Sequence, residues 1–285
     1  MIDFQASTFL LQWATGGLLF LWVSGKTRLI GLGYGWTTRI TYMAIAGIGL
    51  AVAFVGETIW VREISSIGLL ISTNVALVVS IFRRKAGVQG QRQLKESRTS
   101  RVAAMLGNNI QDRTDHAEYQ KEFPPNLDLI APCMGAIGLV AGAIDAGGPT
   151  WLSISRTLIG AAFLGAVSNS MLLGHWYLVQ PGLSREPIFT LVNWTGILWL
   201  PELILLCLPT GMLSVLNGTI DDNYNGLLGW FWVACVIATI GLVIVTKMAL
   251  KEKEYSAVMA ATGLMYLAIL TAFGMDLVAR ILLDA

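Results

Sequence analysis

Apolar residues gather into eight long runs along this chain, separated by short polar turns and one long polar segment, and the runs are continuous rather than alternating with a period of two. They cover about residues 7–23, 39–60, 64–82, 129–146, 152–178, 188–213, 226–247 and 255–278. A helix needs roughly 20 apolar residues to cross about 30 Å of hydrocarbon. Inside a bilayer each backbone polar group must also be satisfied by its own segment, which leaves helices or closed barrels, and continuous runs choose helices. The pattern predicts an all-α integral membrane protein, a bundle of about eight transmembrane helices. Residues 1–82 carry helices 1 to 3, residues 83–127 form one polar, basic loop, and residues 128–285 carry helices 4 to 8.

Composition excludes the ordinary soluble alternative. The 285 residues are 55% hydrophobic and 13% charged, with a mean hydropathy of +0.64, against about 25% charged residues in soluble domains. Of the 19 Lys and Arg, all but Arg62, Arg156 and Arg280 fall in residues 26–39, residues 83–121, the turn holding Arg185, and residues 247–253. These segments alternate with the runs, and cytoplasmic loops are enriched in Lys and Arg. The basic loops are therefore expected on the cytoplasmic side and both termini on the non-cytoplasmic side, in a bacterial or archaeal cytoplasmic membrane. Asp3 and the Lys26, Arg28 flank read the first run as a retained helix rather than a cleaved signal peptide. A net charge of +1 gives no bias towards nucleic acid. The expected partners are the lipid bilayer and other membrane subunits.

Ionisable residues inside a span are costly and point to function by default. Glu202 lies roughly 20 Å into the sixth run and Arg156 about 6 Å into the fifth from the opposite side, at about 1.5 Å per residue. Their depths predict an ion pair between helices 5 and 6, or a proton site. Thr195 shares the Glu202 face at a spacing of two helical turns, and Pro201 removes a backbone donor beside the carboxylate. A second candidate is His175, Trp176 and Tyr177 at the far end of the fifth run, with Ser168 on the same face. There an imidazole could hold a haem or pigment or exchange a proton with a quinone, or the aromatics could anchor the interface.

Other features read more simply. Cys133, Cys207 and Cys235 lie in apolar runs without metal-ligand spacing. Gly31, Gly33 and Gly35 with Lys26 and Arg28 make a weak phosphate-loop signal, better read as a turn. Glu57, Arg62 and Glu63 fit a local charge pair at a hairpin. Val102, Met105, Leu106 and Ile110 recur at helical spacing in the polar loop, as in a surface or docking helix, and His116 sits among acidic residues of a polar helix. The fourth and eighth runs place Asp145 and Asp276 at similar heights, which fits a division into two tandem four-helix halves.

The chain has no H-E-x-x-H or G-x-S-x-G string, and the expectation leans away from an enzyme. Three functions remain. The first is a polytopic subunit of a larger membrane assembly, respiratory or photosynthetic, with a structural or quinone- or cofactor-supporting role. The second is a small proton-coupled or amphipathic-solute transporter using buried Glu202. The third is a quinone- or lipid-reactive enzyme centred on His175.

Overall fold

A computed structural model describes residues 3–88, 122–180 and 182–284. Each run is a helix: α1 Ala6–Gly25, α2 Leu32–Val55, α3 Trp60–Phe82, α4 Ile130–Asp145, α5 Thr150–Val179, α6 Glu186–Cys207, α7 Leu227–Lys251 and α8 Tyr255–Leu282. With their flanking turns, all eight are long and apolar enough to span a bilayer, and no strand occurs among the described residues. The loop helix expected around Val102, Met105, Leu106 and Ile110, the acidic surroundings of His116, and Pro181 lie outside the described residues.

The two largest departures from the hydropathy pattern are the start of α2 and the end of α6. Helix α2 starts at Leu32 rather than near residue 39, because Arg39 is buried within it and neutralised by Asp128. Helix α6 stops at Cys207 rather than running to about residue 213. Pro209 has no N–H to continue the ladder and pushes Leu208 into an extended conformation, φ −92° and ψ 149°. The chain resumes as a short helix, Gly211–Leu216.

Helices α1 and α5 cross at the centre. There Gly16 lies against the backbones of Ala161 and Gly165, and a Cβ on either glycine would overlap the opposite chain, the close approach that small residues permit in membrane helices. Around this crossing the neighbour relations of α1–α4 recur in α5–α8. Thus α1 packs on α2 and α4 as α5 packs on α6 and α8, while α3 on α4 matches α7 on α8, and α2 on α3 matches α6 on α7. Burial repeats too. In α2 the buried set includes Tyr34, Gly35, Thr38, Arg39, Tyr42, Gly49 and Ala53, and α6 buries Pro187, Ile188, Leu191, Val192, Thr195, Glu202 and Leu206 at the same spacings. The register of Ser65, Leu69, Thr73, Ala76 and Ser80 in α3 is matched by Cys235, Thr239, Val243, Thr246 and Leu250 in α7. The described helices thus fall into two four-helix sets with similar packing relations, α1–α4 and α5–α8.

Outward faces carry large exposed apolar side chains, such as Ile48 and Phe54 on α2, Ile71 on α3, Ile237 on α7 and Leu270 on α8, which suits hydrocarbon. The two ends of the chain meet. The backbone N–H of Phe4 donates to Asp284 Oδ1 at 2.7 Å, and that of Asp3 donates to the Ala146 carbonyl at 2.7 Å. This is the terminal end of the bundle, and the opposite one is the loop end.

Candidate functional site

Near the terminal end four helices bring polar side chains together inside the bundle. Asp276 and Arg280 stand one turn apart on α8, and Arg280 Nε donates to Asp276 Oδ1 at 2.8 Å. From α1, Gln12 Nε2 donates to Asp276 Oδ2 at 3.1 Å, while Arg280 Nη2 donates to the Arg156 carbonyl of α5 at 2.9 Å. Gly160 makes this meeting fit. A Cβ there would stand 2.5 Å from Arg280 Nη2, 2.7 Å from Gln12 Nε2 and 3.1 Å from Asp276 Oδ1. Asp276 and Gln12 are fully buried, so the hydrogen bonds offset a desolvation cost that neither side chain could bear alone.

Arg156 does not form the expected ion pair with Glu202. Its Nε donates to the Leu205 carbonyl at 2.9 Å, and its Nη2 donates to the Leu208 carbonyl. The cause lies in the sequence. Pro209 cannot donate to Leu205 one turn back, so the Leu205 carbonyl keeps only a 3.3 Å bond from the Leu208 N–H, and a cation is also favoured beside a helix C-terminus. Arg156 is the cap of α6. Thr195 is likewise not a partner of Glu202: its hydroxyl donates to the Leu191 carbonyl at 3.0 Å and lies 3.5 Å from Ser170 Oγ.

Glu202 is fully buried, and neither of its carboxyl oxygens has a hydrogen-bond partner among the described residues. The charged groups facing it are Asp276, Arg280 and Arg156. A cleft opens beside this cluster, walled by Gln5, Thr8, Gln12, Arg156, Thr157 and Arg280. Gln12 Oε1, in that wall, is also without a partner among the described residues. Asp276, Arg280 and Gln12 join Glu202 and Arg156 at a site for which the sequence named Glu202, Arg156 and Thr195. The spacing of Asp276 and Arg280 within one apolar span was the signal for half of it. Gln12 gave none.

Beside the cleft a second buried group ties α1, α3 and α4. Arg62, only 1% exposed, donates through Nε to Glu63 Oε1 at 2.9 Å, and through Nη1 to Gln5 Oε1 and to Thr8 Oγ1. Gln5 Nε2 in turn donates to Asp145 Oδ2 at 3.0 Å. The local pair expected at this hairpin exists, but as a buried network. In mid-bundle Asn169 Nδ2 donates to the Gly17 and Gly165 carbonyls and to the Tyr42 hydroxyl, and the Tyr34 hydroxyl donates to Asn169 Oδ1.

The residues singled out at the other end of α5 do not gather into one site. Ser168 accepts a hydrogen bond from Trp13 Nε1 at 2.8 Å and is buried against α1. His175 is exposed on the bundle surface, with its Nδ1 3.1 Å from the Tyr266 hydroxyl. Trp176 packs edge-on against Tyr34 and donates to Gln180 Oε1. Tyr177 is buried, donating to the Ser184 carbonyl, while its own carbonyl accepts from the Tyr255 hydroxyl. Among the described residues no three His, Cys, Asp or Glu side chains gather as a metal site requires. The chain matches no family model, no curated protein and no solved structure.

Proposed function

We propose that this protein is a small membrane carrier that moves an anionic or amphipathic solute together with protons, with Glu202 as the proton-carrying acid. The observation that carries this reading is the buried carboxyl of Glu202 with no donor among the described residues, set beside Asp276, Arg280 and Arg156 and next to the terminal-end cleft. A buried carboxylate without a donor is costly, and a proton removes the charge. Arg280 and Gln12 link Glu202's surroundings to the cleft wall, so a solute anion there would meet a guanidinium whose counter-ion is Asp276. Two four-helix halves meeting at a glycine crossing supply bodies that could rock against each other, and carriers built from repeats place their sites between the halves. With the basic loops on the cytoplasmic side, the cleft opens outward.

Reconstitution into proteoliposomes containing a pH-sensitive dye tests the carrier reading. Small carboxylates and amphipathic anions presented to the wild-type chain should include at least one whose uptake is accompanied by proton entry. A chain that moves none of them and no protons would sink it.

A second reading, membership of a larger membrane assembly, draws on His175 and Tyr266. This polar pair lies on an outward face otherwise suited to hydrocarbon, and a neighbouring subunit or its cofactor would cover it. Gentle extraction followed by mass spectrometry and an absorption spectrum separates the two. Stoichiometric partners or a bound chromophore favour the assembly, and a colourless particle of this chain alone favours the carrier.

A further inference from the structure

The loop end holds a second cavity, where the turn before α2 meets the segment leading into α4. Its polar wall is built around Arg39. That side chain is 3% exposed, and its Nε and Nη2 donate to the two carboxyl oxygens of Asp128 at 2.8 and 2.7 Å. The guanidinium also packs over Phe123, 4.8 Å from the ring centroid. Nη1 is the remaining arm of the fork, and it has no partner among the described residues. It lies over Gly35, where a Cβ would approach it to 2.9 Å, and Gly35 is itself part of the cavity wall.

Two further features converge on that arm. Helix α2 begins in the cavity wall with Gly31 as its N-cap, and no side chain caps it, so first-turn N–H groups and the positive end of the helix dipole face the same space. Arg28, held in a left-handed conformation at φ 52°, lies at the rim and pairs with Glu122 at 3.3 Å, while Arg83 Nη1 donates to the Glu122 carbonyl at 2.9 Å. Two guanidinium groups, Arg28 and Arg39, and the carboxylates of Glu122 and Asp128 therefore line one cavity. The remaining wall is apolar, formed by Leu21, Ile30, Leu32 and Val88. A buried donor left open, an uncapped helix start and an apolar flank together describe a receptor for an anion attached to a hydrocarbon body.

We propose that this cavity binds a phosphate ester, with the phosphate on Arg39 Nη1, Arg28 and the start of α2, and any acyl chain along Leu21 and Ile30. The site is separate from the terminal-end cleft and does not depend on the carrier reading. Its wall includes Gly31 and Gly35 of the Gly31, Gly33, Gly35 series, whose spacing alone was a poor phosphate signal; Gly33 and Gly35 lie in the first turn of α2 rather than in a loop. What the turn lacked in motif is supplied by Arg39, one helical turn beyond Gly35.

The test uses the full-length chain in a neutral maltoside detergent, with native mass spectrometry and thermal unfolding read after addition of phosphatidylglycerol, phosphatidylcholine or inorganic phosphate. Phosphatidylglycerol should bind one-to-one and raise Tm, with phosphatidylcholine at least about tenfold weaker. Arg28→Gln and Arg39→Lys, the second of which keeps the charge facing Asp128, should each weaken binding about tenfold, as expected for one lost charge-assisted contact. Binding of inorganic phosphate with the same sensitivity to both variants, and no preference among lipids, would support the site and assign it a soluble phosphate ester. If neither probe binds, or if both variants bind as the wild type does, the proposal is wrong. Should Arg39→Lys fail to fold, Arg28→Gln decides alone.

Discussion

At the scale of single residues, Arg156 and Glu202 lie on neighbouring helices at matching depth yet serve different ends. Arg156 is committed to the Leu205 and Leu208 carbonyls at the end of α6, and Glu202 accepts no hydrogen bond among the described residues. Arg156→Gln should therefore lower Tm, since hydrogen bonds to a charged group contribute on the order of 1.5–3 kcal/mol each. Glu202→Gln should leave Tm unchanged or raise it, because it removes a buried acid whose oxygens accept no hydrogen bond among the described residues. A double-mutant cycle sharpens this contrast. Coupling between Glu202 and Asp276 should exceed coupling between Glu202 and Arg156, and the reverse order, read from unfolding midpoints in detergent, would mean that the ion pair forms after all. Gly160→Ala is the complementary test. Its methyl would stand against Arg280 Nη2 and Gln12 Nε2, and overpacking of that kind costs about 1–3 kcal/mol.

At the scale of elements, the ends of helices decide more than their middles. The turn before α7 shows this outside the membrane-spanning segments. Gly226, the N-cap of α7, has no side chain to offer, and Asp222 takes its place. Its Oδ1 accepts the N–H groups of Tyr224 and Gly226, and its Oδ2 those of Leu228 and Gly229, at 2.8 to 3.3 Å. Burial works against the charge, but these four donors outweigh it and hold the carboxyl below the usual carboxylate range. A depressed folded value means that the stabilisation is present above the unfolded value, about 3.9, and is lost as pH falls through the folded one. Acid unfolding of the wild type should therefore contain a component that Asp222→Asn lacks; identical acid profiles would contradict the cap.

The eight helices were legible because a bilayer leaves continuous apolar runs few other structures. The α2 start and the α6 stop were less so. Each depends on one residue, Arg39 or Pro209, whose effect is set by a partner or neighbour that hydropathy does not weigh. Arg39 shows why sites are harder than spans. Its counter-ion Asp128 is brought in by the packing of α2 against the segment entering α4, and nothing in the local sequence of either announces the other. Glu202 was legible as a charge in an apolar run, whereas Gln12, its neighbour in the polar cluster, looks like any polar residue of a first helix.

At the scale of the molecule, two halves share one plan and differ in chemistry. The burial register that aligns α2 with α6 sets Gly49 opposite Glu202 and Tyr42 opposite Thr195, and the register of α3 and α7 sets Arg62 opposite Trp232. The repeat is carried by spacing and size rather than by residue identity, so it left no aligned motif in the sequence. An even number of spans carries an expectation for the ends: cysteines introduced at positions 3 and 284 should react with a membrane-impermeant maleimide from the same side as one at position 57, and one at position 253 from the opposite side. Labelling of 3 and 284 from opposite faces would contradict an even-numbered bundle.

The central claim is that Glu202 carries the proton, and the most direct measurement compares two modes of transport in proteoliposomes containing Glu202→Gln, using a solute the wild type accumulates. The variant is predicted to keep solute exchange, which needs no net proton movement, while losing accumulation driven by a pH gradient. Undiminished pH-driven accumulation by Glu202→Gln would contradict it.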